Sequence, residues 1–311
     1  MRVIDEEAVG GRLSWQAVVE ALREGHRGAE AEVSDQFLSQ GGDTLLSRAA
    51  WIPGLGIGVK SVSVLPGNAA SGRPTVQGAM LVFDDATGAM KAVIDAPLVT
   101  RWKTAADSLL GALLLAPPEP ERLVIVGAGT VADSLVEGYR AVFPSVSDIA
   151  IHNRTRGRAA ELAQRHNSRV SDGGGVRVSD DLEADVARAD IVATATLSCE
   201  PVLRGAWVGP NTHVDLIGAF TATMREADDD LLRKSRLFVD SRETTLDHIG
   251  ELMIPLAEGT ITRSDVLGDL RDLVAGRVGR EGDEITVFKN GGGAHLDLMT
   301  ARVIMDAAKP V

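Results

Sequence analysis

The stretch Leu123-Val-Ile-Val-Gly127-Ala-Gly129-Thr-Val-Ala132 decides the fold of this chain. Its apolar residues predict a buried parallel strand, and the two glycines after them predict a sharp turn into a helix. In a nucleotide-binding βαβ unit the first glycine permits that turn, and the second lets backbone N–H groups approach a pyrophosphate at the helix N-terminus. Alanine is a tolerated variant at the third, packing position of the motif. We therefore predict a dinucleotide site with contacts from Gly127, Ala128, Gly129, Thr130 and Val131.

A second stretch, Ile149-Ala-Ile-His-Asn153-Arg154-Thr155, predicts the next strand of the same sheet, one helix length further along the chain. This spacing argues against the alternative that the glycines form an ordinary turn. An NAD site usually ends this strand with Asp or Glu, which binds the ribose hydroxyls. Amide, hydroxyl and guanidinium groups instead donate to a 2′-phosphate that a carboxylate would repel. We predict NADPH as the preferred cofactor over NADH, unless the arginines only begin a solvated helix. The residues expected to bind this end of the cofactor are Asn153, Arg154, Thr155 and Arg158.

The composition limits the classes of protein that the chain can represent. Its 311 residues, 44% of them hydrophobic, are enough for two domains with a sizeable core. The net charge of −12 argues against nucleic acid as a partner, and the single cysteine, Cys199, excludes an internal disulfide. No apolar run reaches membrane-spanning length, and the N-terminus lacks the apolar segment of a signal peptide. We expect a cytoplasmic protein without a metal, since no cluster of residues has metal-ligand spacing.

Strand and helix patterns alternate after Pro117-Pro-Glu-Pro120, which predicts an α/β Rossmann domain with a parallel sheet over residues 118–291. Before the prolines, a helix with Ser14 as N-cap precedes short β runs within 44–95 and an apolar helix over 97–115. An apolar helix over 294–308 is expected to pack onto this first part, which predicts an α+β domain built from residues 1–117 and 292–311. In the Rossmann domain we expect strands at 122–126, 148–152, 191–195, 213–216, 237–239 and 286–288, helices at 156–166 and 226–233, and a loop at 171–175.

Several segments taken together resemble the ornithine cyclodeaminase/mu-crystallin family. They occur in the family's order from about residue 5 to about residue 305, so the set is specific although each piece is short. The matching segments, besides the Gly127 turn, are Gly58-Val-Lys60-Ser-Val-Ser-Val-Leu-Pro66-Gly-Asn68, Gly72-Arg-Pro74-Thr75-Val-Gln-Gly78, Phe83-Asp-Asp-Ala-Thr87-Gly88, Thr100-Arg-Trp-Lys103-Thr104-Ala-Ala-Asp-Ser108, Leu216-Ile-Gly218-Ala219, Arg225-Glu226, Phe238-Val-Asp240-Ser and Ile285-Thr-Val-Phe288.

The resemblance implies a homodimer that acts on amino acids or cyclic imino acids with a bound nicotinamide cofactor. The domain built from both chain ends is expected to bind the substrate and to form the dimer. At the matching positions, Arg48 and Lys60 are the cations for a substrate carboxylate, and Lys60 is a candidate proton donor; the alternative is that both are surface charges on strands. Thr75 and Lys103 are expected to line the same site, although Thr75 also suits an ordinary strand. His295 is either a proton relay or a structural polar group. Further cofactor contacts are expected from Thr104, Thr196, Gly218 and Ala219.

Two departures from the family pattern bear on the reaction. Where the family usually has Arg-Thr-Ala-Ala, this chain begins with Lys103, so the charge remains without the guanidinium fork. Cyclodeaminases carry an aspartate where this chain has Phe220, and that carboxylate is expected to hold the distal amine of ornithine. An apolar ring cannot bind an ammonium group, but it suits an imine that is already cyclic. The alternative is that Phe220 belongs to the core.

We therefore predict an NAD(P)H-dependent reductase of a cyclic imino acid, with Δ1-pyrroline-2-carboxylate to proline as the leading reaction. The cofactor supplies the hydride, and Arg48, Lys60 and Lys103 hold the substrate carboxylate. Three alternatives stay open: an ornithine cyclodeaminase with catalytic NAD, an L-alanine dehydrogenase, and a mu-crystallin-like binding protein without turnover.

Overall fold

The computed structural model describes residues 2–168 and 175–308, so nearly all of the loop predicted over 171–175 lies outside the described residues. Contacts between Cα atoms divide the chain into two units. The first unit comprises Met1–Ala106 and Gly293–Val311, and the second comprises Asp107–Gly292. The first division falls at residue 106 rather than at the predicted 117, inside the helix Ala96–Leu115. Among the described residues, no helix is both long and apolar enough to cross a membrane.

The first unit contains a six-stranded sheet with helices α2 and α11 packed together and α11 packed on strands β3 and β4. The strand order is β1-β6-β5-β4-β3-β2; the β1–β6 pair is parallel and the other pairs are antiparallel. Its elements are β1 (Arg2–Ile4), α1 (Glu6–Val9), α2 (Trp15–Arg27), β2 (Glu32–Gln40), β3 (Asp43–Ile52), β4 (Gly56–Val64), a 3-10 turn (Pro66–Ser71), β5 (Val76–Phe83), β6 (Met90–Asp95), the start of α3 (Ala96–Leu115) and α11 (Ala294–Ala307).

Local sequence signals explain most of these elements. Ser14 caps α2 by accepting a hydrogen bond from the N–H of Ala17, and the buried residues of α2 recur at helical spacing, as predicted. Residues of β4 alternate between buried and half-buried, which places Lys60 and Val62 on the inner face of the sheet. Strand β2 was not predicted, because it is an edge strand whose residues are almost all exposed and show no apolar alternation.

The second unit contains a parallel sheet of eight described strands in the order β13-β12-β14-β11-β10-β7-β8-β9, which confirms the predicted α/β class. Its core strands are apolar runs that are buried on both faces. Its elements after α3 are β7 (Arg122–Val126), α4 (Thr130–Val142), β8 (Asp148–His152), α5 (Arg156–Asn167), β9 (Gly175–Val178), α6 (Leu182–Val186), β10 (Ile191–Thr194), β11 (His213–Leu216), α7 (Asp229–Lys234), β12 (Arg236–Val239), α8 (Arg242–Thr245), α9 (Gly250–Ala257), β13 (Val266–Gly268), α10 (Leu270–Val274) and β14 (Thr286–Lys289), with 3-10 turns at Gly205–Trp207 and Arg263–Asp265.

The helix predicted over 226–233 was wrong at its start, because α7 begins at Asp229. Asp228 caps this helix by accepting a hydrogen bond from the N–H of Leu231. Glu226 precedes the cap, and its carbonyl oxygen accepts hydrogen bonds from the N–H groups of Val202 and Leu203. These bonds hold Glu226 in an extended segment before the helix, so its side chain does not lie on a helix face.

Candidate functional site

A group of cations lies on the inner face of the sheet in the first unit. Arg48 on β3 and Lys60 on β4 are directly opposed in the antiparallel register. Lys60 is only 5% exposed, and Lys103 on α3 is buried to the same extent. A buried ammonium group is costly unless an anion accompanies it. The alternative that Arg48 and Lys60 are both surface charges is therefore excluded for Lys60.

Asp297 on α11 supplies an anion for Lys60. The Nζ atom of Lys60 lies 2.7 Å from Oδ1 of Asp297, and both side chains are almost completely buried. Burial lowers the pKa of Lys60, and the charges of Lys103 and Arg48 act in the same direction while Asp297 opposes them. The pKa of Asp297 is lowered by the nearby cations, first Lys60, against the effect of burial. Lys60 and Asp297 therefore form a buried ion pair, and the pKa values of both groups also depend on the nearby charges of Lys103 and Arg48.

Arg48 and Lys103 differ in how they are neutralised. Arg48 forms a two-pronged ion pair with Asp35 on β2, with Nε–Oδ1 and Nη2–Oδ2 distances of 3.2 and 2.5 Å. The ammonium group of Lys103 forms no ion pair or hydrogen bond with any described residue. Lys103 nevertheless contributes to the electrostatics of Lys60 and Asp297. The site thus contains a buried cation that can accept an additional anion.

His295 lies at the start of α11 in the same unit, with its ring edge toward His26 at a centroid distance of 5.6 Å. Burial lowers the pKa of His295 to about 3, and the His26, Lys103 and Arg48 charges add to this effect against Asp297. The imidazole is therefore neutral near pH 7, so one ring nitrogen can donate a hydrogen bond and the other can accept one.

The remaining predicted substrate residues are more dispersed. Thr75 lies just before β5, one residue beyond the Val64–Val76 end of the ladder and five positions from the Lys60–Met80 pair. At the rise of a β-strand this separation is about 17 Å. Phe220 lies in the second unit after β11 and is 60% exposed, which excludes the alternative that it is a core residue.

The glycine turn of the second unit has the geometry of a phosphate-binding loop. Gly127 has φ +129°, and a Cβ atom there would lie 2.5 Å from the carbonyl oxygen of Ala195. Gly129 caps α4 without any side-chain hydrogen bond, and no described atom lies within 4 Å of a Cβ placed on it. Exposed Thr130 and half-buried Ala128 and Val131 flank this helix start. Unpaired backbone donors at an open helix N-terminus fit an anionic pyrophosphate group.

The segment after β8 offers cations to the same edge of the sheet. The side-chain amide of Asn153 donates a hydrogen bond of 2.9 Å to the carbonyl of Thr155, which shapes the entry to α5. Arg154 and Arg158 are exposed and form no ion pair with any residue in 2–168 or 175–308. Arg156, between them, pairs with Asp180. Two guanidinium groups therefore remain available for a phosphate.

The carboxylate of Glu226 joins the loops that follow β10 and β11. Its Oε1 atom accepts hydrogen bonds from the N–H and the hydroxyl of Thr196, at 2.7 and 2.8 Å. Its Oε2 atom accepts a hydrogen bond of 2.6 Å from the N–H of Gly218. A Cβ atom at Gly218 would lie 2.0 Å from the carbonyl oxygen of Thr196, so only glycine permits this approach. Ala219, which follows, is fully buried.

Glu251 and Lys289 surround Glu226 with further buried charge. The two oxygens of Glu251 accept hydrogen bonds of 2.9 Å from the N–H groups of Glu226 and Ala227. The ammonium group of Lys289 donates to the carbonyls of Leu216 and Asn290 at 2.8 Å. Burial raises the pKa of Glu251 to about 7, against the opposing charge of Lys289.

Asp297 and Glu226 were missed as site residues from the sequence. Asp297 is one of two carboxylates in an otherwise largely apolar helix, and an acid on the buried face of such a helix requires a partner; this was the available signal. Glu226 occurs in a segment that resembles the family but was assigned to a helix face. Thr104, half-buried on α3 beside Lys103, was predicted to contact the cofactor and stays a prediction. Among the described residues, no group of three or more His, Cys, Asp or Glu side chains could hold a metal ion.

Residues 41–310 match the model of the ornithine cyclodeaminase/mu-crystallin family. The chain belongs to this family. Over 296 residues it is 57% identical to Δ1-pyrroline-2-carboxylate reductase of Paracoccus denitrificans, covering 94% of this chain and 93% of that protein.

Two solved structures superpose on this chain over nearly its full length. Δ1-pyrroline-2-carboxylate reductase of Thermococcus litoralis, in complex with NADH and L-proline, has a TM-score of 0.92 and 26% identity, with both chains covered completely. An archaeal alanine dehydrogenase dimer with bound NAD has a TM-score of 0.90 and 29% identity, with coverage of 99% of this chain and 95% of the other. Both of these proteins contain a bound nicotinamide dinucleotide in their structures.

Proposed function

We propose that this chain is an NAD(P)H-dependent reductase of a cyclic imino acid, with Δ1-pyrroline-2-carboxylate to proline as the leading reaction. The observation that carries the proposal is the 57% identity to the Paracoccus denitrificans reductase over almost the whole chain. The buried cations of the first unit add chemical support, because an imino acid brings a carboxylate to be neutralised. We assign substrate binding to the first unit and dinucleotide binding to the second.

The substrate carboxylate would be held by Lys103 and Lys60, with Arg48 beside them. Lys103 is the strongest candidate, because its buried ammonium forms no ion pair or hydrogen bond among the described residues, and Asp297, whose charge it influences, is already paired with Lys60. Arg48 already uses two nitrogens on Asp35, so it would share its guanidinium between that carboxylate and the substrate. A buried cation holds an anion more tightly than an exposed one, because water screens the attraction less.

Lys60 would keep the imine nitrogen protonated. The bound reduced nicotinamide supplies a hydride to the carbon of the C=N bond. A proton on the nitrogen makes that carbon electrophilic and remains on the amine of the product, so the reaction needs an acid at this point. The lowered pKa of Lys60 makes its ammonium a better acid than an ordinary lysine, and Asp297 keeps the group charged near neutral pH.

Phe220 would present an apolar surface to the ring of the substrate. Its exposed side chain follows β11 at the carboxyl edge of the parallel sheet, where ligands bind in folds of this class. A phenyl ring cannot replace the hydration of a distal ammonium group, which disfavours ornithine relative to a closed imine.

We infer that NADPH is preferred over NADH. Support comes from Asn153 at the end of β8, in place of a carboxylate, and from the exposed guanidinium groups of Arg154 and Arg158. Phosphate oxygens match the donors of a guanidinium group, and an exposed arginine at a helix start is favoured when an anion joins it.

We also infer that a second copy of the chain covers the outer face of the six-stranded sheet. Val3, Leu38, Leu45 and Trp51 lie on this face, opposite to that of Lys60, and are 69, 57, 41 and 47% exposed. An exposed apolar sheet face of this kind marks an interface. The alanine dehydrogenase relative is a dimer.

Steady-state assays with purified protein test the reaction. NADPH or NADH is offered with pyrroline-2-carboxylate, with piperideine-2-carboxylate, with pyruvate plus ammonia, or with ornithine. We expect oxidation of the reduced cofactor with a cyclic imine, and its loss in Lys60→Gln but not in Lys91→Gln, which changes an exposed lysine on β6. Ammonia release from ornithine as the only activity would identify a cyclodeaminase, and turnover with pyruvate plus ammonia alone would identify an alanine dehydrogenase. An absence of turnover with every substrate would identify a binding protein.

A further inference from the structure

We propose that Glu226 is a positioning residue for the nicotinamide half of the dinucleotide, acting through Thr196 and Gly218. The proposal rests on the proposed use of a nicotinamide cofactor. One carboxylate accepts all three hydrogen bonds, two from Thr196 and one from Gly218, within 2.6–2.8 Å. It therefore fixes the separation of the two loops, and neither loop can shift without losing a charge-assisted hydrogen bond.

The order of the strands assigns these loops to the nicotinamide side. The glycine turn follows β7, and the Asn153 segment follows β8, the neighbour of β7 on one side. Strands β10 and β11 lie on the other side of β7, and Thr196 and Gly218 lie in the loops two residues after their ends. A dinucleotide that crosses the carboxyl edge with its pyrophosphate at the glycine turn must extend its two halves in these opposite directions. If the adenosine half lies at Asn153, then the nicotinamide half lies over the loops held by Glu226.

Further contacts prevent Glu226 from moving. Glu251 accepts hydrogen bonds from the N–H groups of Glu226 and Ala227, so the backbone that carries the carboxylate is itself held by a buried acid. The N–H of Gly250, at the start of α9, donates to the carbonyl of Thr221, on the segment that leads from Gly218 to Glu226. Buried Lys289 provides a positive charge that interacts with both Glu251 and Glu226. A side chain that only filled the core would need neither these hydrogen bonds nor a buried cation beside it.

The test compares the whole cofactor with a fragment that lacks nicotinamide. Binding of NADPH and of adenosine 2′,5′-bisphosphate is measured by titration calorimetry for the wild type, Glu226→Gln and Glu258→Gln. Glutamine keeps the length of the side chain, but its NH2 group faces a donor, either on Thr196 or on Gly218. The control changes an exposed glutamate at the end of α9. We expect about a tenfold or greater loss of NADPH affinity in Glu226→Gln, the usual size of one charge-assisted hydrogen bond, with the fragment affinity unchanged.

The other outcomes overturn the proposal. Equal losses for cofactor and fragment would make Glu226 a general fold residue, and unchanged NADPH affinity would show that its contacts do not matter for the cofactor. Should Glu226→Gln not fold, Glu226→Asp is used, which keeps the charge but is too short to reach both loops. It is expected to show the same selective loss, and failure of both variants to fold would assign Glu226 to the core. These binding measurements need no substrate, so they can fail independently of the proposed reaction. If only the proposed reaction were wrong, NADPH would still bind normally and no imine would be reduced.

Discussion

Replacing Asp297 by asparagine tests whether a carboxylate on the last helix controls the charge of Lys60. The substitution keeps the shape of the side chain and removes its charge, 2.7 Å from the lysine nitrogen. The ammonium of Lys60 then faces burial and the charges of Lys103 and Arg48 without the carboxylate that opposed them. Its pKa must fall further below the ordinary lysine value, because each remaining influence lowers it.

The size of the effect follows from the burial of the pair. The two side chains are 6 and 1% exposed, so water screens neither charge. Removing one partner of a buried ion pair costs about 3 to 5 kcal/mol, well above the roughly 1 kcal/mol or less that a surface pair contributes. The cost depends on pH, since the destabilised species is the charged lysine. It is largest near neutral pH, where Asp297 of the wild type is ionised and Lys60 is charged, and it decreases as pH rises toward 10.5, where the unfolded chain also loses the lysine proton.

Two measurements check these expectations. Denaturant unfolding at several pH values gives the stability difference, and the pH profile of imine reduction shows whether its basic limb moves to lower pH in Asp297→Asn. Asp306→Asn, an exposed change on the same helix, serves as the control. If Asp297→Asn keeps the wild-type basic limb, then Lys60 is not the acid or Asp297 does not set its charge. A stability loss no larger than that of the control would contradict the magnitude derived from burial.

Three further expectations concern the cofactor, the assembly and buried acid. Arg154→Glu should raise the KM for NADPH about tenfold or more and leave the KM for NADH nearly unchanged, because it removes one charge-assisted contact to the 2′-phosphate. The control is Arg156→Glu, which changes an arginine that pairs with Asp180. Equal effects of Arg154→Glu on both cofactors would exclude a phosphate contact. Trp51→Glu should convert dimers to monomers in sedimentation experiments, because it places a charge on the apolar sheet face. An unchanged mass would mean that the interface lies elsewhere or that no dimer forms. The pKa of Glu251 is raised from 4.5 to about 7, so the free energy of unfolding should fall by about 3 kcal/mol as pH rises through this window. Glu251→Gln should lack this decrease. Parallel pH–stability curves for the wild type and the variant would contradict the raised pKa.

The parallel sheet could be predicted because its strands carry their own signal. Strands β7, β8 and β10 are short apolar runs buried on both faces, and β7 is followed by glycines that only a tight turn explains. Strand β2 offered no comparable signal. It is held by a full register with β3 rather than by apolar burial, and its exposed Phe37 and Leu38 suit an unpaired surface more than a core.

The division of the chain shows a second limit of sequence patterns. The run of prolines from 117 to 120 indicates where a helix must end, and α3 does end at Leu115. A helix can nevertheless exchange neighbours along its length without any change in sequence pattern, and here the division falls at residue 106. Chain-breaking residues report the end of an element, whereas the border of a unit depends on contacts with distant residues.

The same distinction separates the cofactor residues from the proton-transfer residues. Thr130, Asn153, Thr196 and Gly218 all follow parallel strands, so the rule that such strands end at one edge brings them together whatever the distance between them in sequence. No such rule connects Lys60 with Asp297, which are 237 residues apart and lie on an antiparallel strand and a helix. Their pairing follows only from the energetic requirement that a buried ammonium find an anion. From this requirement the sequence predicts that an anionic partner exists, but not which residue it is. Acid–base partners of this kind are therefore identified from the packing of the fold and not from sequence motifs.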